Sequence, residues 1–136
     1  MSLDLTAFRR RLHRRPETGL DTYETAETIM SFLDDLGVAS KTCAGTGVVA
    51  EIEGTAPGPT VAVRVDIDAL PIEDLSGVEF ASERARKAHA CGHDAHAAIG
   101  IGVAEALMGR RSEIAGRVRL IFQPGEETFQ GALAMI

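Results

Sequence analysis

The sequence predicts an α/β domain, the first half of a sandwich around a mixed, partly parallel sheet flanked by helices, and three observations carry that prediction. Helical and strand periodicities follow one another along the 136 residues in the order helix, helix, strand, strand, helix, strand. No internal repeat, low-complexity segment or long linker interrupts them, so no domain boundary is expected inside the chain. Hydrophobic residues make up 45% of the sequence, enough to build a core at this length.

Leu5, Phe8 and Leu12 recur at helical spacing, and the helix they define should end before Pro16, whose ring pushes the preceding residue out of the helical region. A second helix starts at a capping box of Asp21 with Glu24, sets Ala26, Ile29, Met30, Leu33 and Leu36 on one apolar face, and closes at Gly37. Residues 48–52 and 61–67 read as strands joined by a turn over 54–59. In the second strand Val61, Val63, Val65 and Ile67 alternate with Ala62, Arg64, Asp66 and Asp68, so both aspartates project from one face at its carboxyl end. Two such charges repel unless a cation sits near them or the strand end is fully solvated. The cation is preferred, for Asp68 more than for Asp66.

A polar, irregular stretch follows Pro71 as far as Ala88. The apolar run over 95–108 is too short for a bilayer, which needs ~20 residues, and reads as a buried helix. Its Gly100-x-Gly102 lacks the third glycine of a dinucleotide fingerprint and lies inside the helix, so close packing on the sheet is the expected use. Arg110 and Arg111 suit the negative end of that helix. Residues 118–122 form the last strand, which delivers Gln123-Pro124-Gly125-Glu126-Glu127 from its carboxyl end.

The chemistry concentrates in two segments, His89-Ala90-Cys91-Gly92-His93-Asp94-Ala95-His96 and Pro124-Gly125-Glu126-Glu127. Thiolate, imidazole and carboxylate together are transition-metal donors, and the glycine between Cys91 and His93 lets sulfur and ring nitrogen converge on one ion. Of two adjacent glutamates, one can bind an ion while the other stays free to take a proton from water. Alone, a Cys-x-His is often a core thiol beside a hydrogen-bonded histidine, and a Glu-Glu is usually a solvated pair. Both segments here lie at strand or helix boundaries of an α/β chain, where such folds place ligands, and the pair favours a metal site. A thiolate donor argues against magnesium and calcium. His13 reads as structural, and His96, one turn beyond His93, as a support for a ligand or a helix cap.

A net charge of −6, one Tyr and no Trp give neither a basic stripe nor a stacking platform, so no nucleic-acid partner is expected. The basic run Arg9-Arg10-Arg11 and Arg14-Arg15 reads as the solvated side of the first helix, and no membrane partner is expected. A bridge between Cys43 and Cys91 would consume a proposed ligand, so a reducing, cytoplasmic setting is expected. Arginines from Arg9 onward interrupt any signal-peptide character.

Five motifs in order carry a family resemblance: Arg11-Leu12-His13-Arg14-Arg15-Pro16-Glu17, Thr46-Gly47-Val48-Val49-Ala50, residues 63–71 (VRVDIDALP), residues 89–96 and Phe122-Gln123-Pro124-Gly125-Glu126-Glu127. Together they resemble the aminoacylase/glutamate carboxypeptidase family of metallopeptidases. The closest likeness is to its amidohydrolase branch of hippurate hydrolases and hydrolases of indoleacetyl-amino acid conjugates. The resemblance implies a zinc-peptidase-like fold, Cys91, His93 and Glu127 as metal ligands, Glu126 as general base and Asp68 as an orienting carboxylate, with Asp66 unassigned. Zinc, manganese or cobalt is the implied cofactor, two ions in the complete enzyme. The implied reaction is cleavage of a small N-acyl-amino acid, hippurate-like, at its amide by metal-activated water.

The sequence departs from the family at Glu83-Arg84-Ala85-Arg86-Lys87-Ala88, where a Pro-Gly turn is usual. Family members also run far beyond Ile136, through further histidine ligands and a lid or dimerisation domain. Residues 1–136 are therefore expected to be an incomplete metallohydrolase catalytic domain, with a catalytically inactive fragment that at most binds metal as the alternative. An uncovered edge strand in such a half-sheet makes a homo-oligomer possible.

Overall fold

The structure, a computed structural model, describes residues 3–136. Its elements are α1 (Leu5–Arg14), α2 (Tyr23–Asp35), β1 (Ser40–Cys43), β2 (Gly47–Glu53), β3 (Ala56–Asp66), α3 (His93–Gly109), a 3-10 turn (Arg111–Glu113), β4 (Ala115–Gln123) and α4 (Gly131–Met135). The four strands form one mixed sheet in the order β1-β2-β4-β3, in which β2 is antiparallel to β1 and β4, and β3 is parallel to β4. Alternation along β2 and β4 turns Val48, Ala50, Ile52, Leu120 and Phe122 towards α1, α2 and α3, whose Phe8, Leu12, Ile29, Leu33 and Ile101 complete the core. On the opposite face Glu51 pairs with Arg117 and Arg119, and α4 borders Val49 and Ile121.

The first helix begins where the Asp4 carboxylate accepts the Ala7 amide at 2.9 Å and ends, as expected, before Pro16. The second corrects the capping expectation. Its cap position is Thr22, and the first-turn N–H groups of Glu24 and Thr25, which have no partner within the helix, donate to the Glu17 carboxylate at 3.2 and 2.8 Å. The Glu24 side chain is drawn away by Arg15 and Arg84, so the anion at the helix start comes from the preceding segment.

Two strand expectations also change. β1 was not anticipated, and β3 begins at Ala56 instead of residue 61, which shortens the 54–59 turn. Pro57 and Pro59 are tolerated because β3 is an edge strand with only one hydrogen-bonded neighbour. β4 lies between β2 and β3, and the Gly54 amide donates to Gly116 O at 2.8 Å where the chain passes over the start of β4. Close packing of α3 holds: a Cβ at Gly100 would lie 2.7 Å from the Phe122 ring.

The stretch between β3 and α3 is irregular but tied down. Asp74 accepts the Ser76 and Ser82 amides at 2.9 and 2.7 Å, and these serines hold its carboxyl at about 2, down from an ordinary 3.8. A lowered pKa means that the folded state prefers the ionised group, so the stabilisation is complete above about pH 4 and is lost as pH falls towards about 2. The difference in melting temperature between wild type and Asp74→Asn should therefore narrow through that window; a difference independent of pH would contradict it. Among the described residues, no helix is long and apolar enough to cross a membrane, and Cys43 and Cys91 are both free.

Candidate metal centre

The parallel pairing of β3 with β4 places Asp66 opposite Gln123, so the two chains leave the sheet side by side. The segments carrying Asp68 and Glu126-Glu127 therefore enter the same crevice at the carboxyl ends of the strands, where α/β sheets bind ligands. Helix α3 starts at that edge. Gly92, at φ +81°, supplies the left-handed turn that lets His93 open the helix while facing the crevice.

Asp68 holds the arrangement together. Its buried carboxylate accepts the Glu126 amide at 3.0 Å on one oxygen and the Glu127 amide at 3.1 Å on the other. Its backbone carbonyl accepts His93 Nδ1 at 2.8 Å. With Nδ1 donating there, His93 Nε2 faces Asp66 Oδ1 at 3.4 Å and both Glu126 Oε2 and Glu127 Oε1 at 3.8 Å. Burial alone would lower the His93 pKa, but the hydrogen bond to Asp68 and the charges of Asp66 and Asp68 outweigh it and raise it. The two aspartates thus favour the protonated form of His93 at the place where a cation is expected. An ion binding at Nε2 would compete with a proton there.

Asp66 also contacts His96 Nδ1 at 2.6 Å and Arg64 at 2.9 Å. Burial would raise its pKa, yet His96, His93 and Arg64 together lower it. Two compact groups of donors result, His93 with Glu126 and Glu127, and Asp66 with His93 and His96; within each, the ligating atoms lie within 4.8 Å of one another. His93 Nε2 has one lone pair and can serve one ion. The spacing of His93 and His96 signals a shared face, but only the fold reveals Asp66 between them.

Cys91 lies in neither compact group and is exposed. Its thiol is pushed up to about 11, first by a hydrogen bond to the Glu127 carboxylate, then by burial and the charges of Glu127, Glu126 and Asp66. It therefore stays protonated at neutral pH until a cation offsets those carboxylates. Glu127 Oε1 is buried with no hydrogen-bond partner among the described residues. An orphaned carboxylate oxygen beside an imidazole nitrogen and a thiol fits a borderline-soft divalent ion.

The unusual approach to Cys91 is fixed without a Pro-Gly turn. Leu70 and Ala88 exchange backbone hydrogen bonds at 3.0 Å, and Arg84 bridges Glu17 and Glu24. His89 is buried and its pKa is pushed down to about 4 by burial, so it is neutral at physiological pH. His13 is buried as well and bonds Asp94 Oδ2 at 2.7 Å.

Residues 62–136 match the model of peptidase family M20/M25/M40. The chain is 42% identical over 133 residues to N-acetyl-L-cysteine deacetylase of Bacillus subtilis, covering 97% of this chain and 32% of that protein. It is 41% identical to IAA-amino acid hydrolase ILR1-like 5 of Arabidopsis thaliana, covering 97% of this chain and 30% of that protein. Among solved structures, the YXEP protein of Bacillus subtilis, a dinuclear metal-binding peptidase, superposes with a TM-score of 0.93 at 44% identity, over 96% of this chain and 37% of that one. The chain thus spans about a third of the length of these relatives.

Proposed function

Since this chain belongs to peptidase family M20/M25/M40, we propose that it forms the first part of the catalytic domain of a metal-dependent amidohydrolase that cleaves the amide bond of N-acyl-amino acids. The observation that carries this reading is the bond of the Asp68 carboxylate to two consecutive amides, which presents Glu126 and Glu127 together to His93 Nε2.

Cys91, His93 and Glu127 would hold the ion, for which zinc, manganese and cobalt suit a set of sulfur, nitrogen and oxygen. When bound, such a metal polarises the scissile carbonyl and eases deprotonation of water. Glu126 takes that proton and returns it to the leaving amine. The division of labour rests on exposure: the Glu126 side chain is 37% exposed and can meet substrate, whereas that of Glu127 is 17% exposed and turned inward. Asp68 keeps both glutamates and the His93 ring oriented throughout. N-acyl-amino acids are the substrate class because the relatives named above act on an N-acetyl-amino acid and an indoleacetyl-amino acid conjugate.

Elemental analysis tests the centre. Protein purified with zinc, manganese or cobalt should retain metal, and Cys91→Ser combined with His93→Ala should lose it. The same metal content in wild type and double variant would rule the centre out.

A further inference from the structure

We propose that His13, acting through Asp94, is a positioning residue for the metal-binding segment. The inference rests on the metal-centre reading above. No atom of residues 13–19 belongs to either donor group, yet this short stretch reaches all three segments that carry donors. His13 Nδ1 donates to Asp94 Oδ2 at 2.7 Å, and Asp94 follows His93 in the first turn of α3. The Glu17 carbonyl accepts the Ala69 amide at 2.7 Å, one residue beyond Asp68. The Gly19 carbonyl accepts the Gly125 amide at 2.9 Å, one residue before Glu126. Two of these ties are backbone-to-backbone bonds. The His13 tie depends on a side chain and is the one that substitution can cut.

Asp94 makes that tie consequential. Its side chain is fully buried, and Oδ1 has no hydrogen-bond partner among the described residues. Among the described residues the charge is met only at Oδ2, by His13 and by Arg9 Nε at 2.6 Å, and the Arg9 side chain is 33% exposed. Removing one partner of a buried carboxylate leaves a charge that the interior cannot solvate, so Asp94 would move towards Arg9 or water. A shift there is transmitted to His93, the adjacent residue of the same helical turn. The His13 ring cannot swing to follow, because its far side sits edge-on to Phe80, with centroids 5.3 Å apart, and Nε2 lies 3.5 Å from Asp74 Oδ2. A histidine that merely filled space would not need its Nδ1 position in particular.

That difference gives the test, a comparison of two amide variants in the full chain. His13→Asn keeps an N–H donor close to where Nδ1 stands, whereas His13→Gln carries it one carbon further, near the Nε2 position. Zinc titration should give His13→Asn an affinity close to wild type and His13→Gln one weaker by ~10-fold or more, the usual cost of losing a residue that orients a ligand. Cobalt substitution should show the thiolate absorption band of Cys91 displaced in the glutamine variant alone. Equal zinc affinities for the two variants, or losses that merely track their melting temperatures, would overturn the proposal. Failure of wild type to bind zinc would instead sink the metal centre. In that event amide exchange in the metal-free protein decides the matter: Ala95 and His96, whose amides bond to Gly92 O, should exchange faster in His13→Gln than in His13→Asn, and equal rates would overturn the positioning role.

Discussion

Glu126→Gln is expected to leave the metal content unchanged while lowering hydrolysis of N-acyl-amino acids by ~10²-fold or more, assayed in a polypeptide of the relatives' full length. Glutamine matches glutamate in size, and the bond that fixes residue 126 runs from its backbone amide to Asp68, so the crevice keeps its shape. What disappears is the capacity to take up a proton. Glu127→Gln should do the opposite. Its Oε1 is buried without a hydrogen-bond partner among the described residues and faces His93 Nε2, so replacing the charge weakens the hold on the ion. If Glu126→Gln loses the metal and Glu127→Gln keeps it, the two roles are exchanged.

Asp68→Ala should cost more stability than any other single change at the centre. The carboxylate receives two backbone amides from a loop in a crevice, and its loss leaves both without an acceptor. Hydrogen bonds to a charged group contribute ~1.5–3 kcal/mol each, so the combined loss should be at least roughly 3 kcal/mol, read from chemical denaturation. Asp68→Asn should fall between, since one oxygen remains while the new amide group turns a donor towards a donor. Zinc affinity should fall in the same order. An alanine variant as stable as wild type, with unchanged zinc binding, would remove Asp68 from its organising role.

Much of this architecture was legible in the sequence because long elements bury one face. Phe8 and Leu12, Ile29 and Leu33, and Leu120 and Phe122 follow the period of their element and all lie in the core. β1 escaped notice because Ser40, Lys41 and Thr42 bury no regular face, so alternation leaves no trace. The start of β3 was hidden by Pro57 and Pro59, which signal a turn unless one knows that the strand lies at an edge. The cap of α2 was misplaced because local spacing offers Asp21 and Glu24, while the competing carboxylate, Glu17, becomes available only once the chain bends at Pro16.

At the candidate centre, residue types, spacing and the family resemblance together proposed Cys91, His93, Glu126, Glu127 and Asp68. Which atoms face which was not. The Asp66–His96 contact and the path from His13 to Asp94 join residues far apart in sequence, and a single sequence carries no signal of such pairings. The separation of Cys91 from both compact donor groups is a property of the turn at Gly92, equally invisible to a motif.

The place of β4 between two strands that are consecutive in the chain has a kinetic consequence. As the polypeptide leaves the ribosome, β2 and β3 emerge early and must wait, with unpaired backbone on their facing flanks, until the residues of β4 have been made. That gap is a vacancy into which another copy's strand could insert, so nascent chains are most vulnerable to self-association in this interval. The vacancy is also directional, because β4 must run parallel to one neighbour and antiparallel to the other. Entry of β4 in that single sense carries Glu126 and Glu127 onto Asp68, so closure of the sheet and formation of the candidate crevice are one event, and a chain stalled before it has neither.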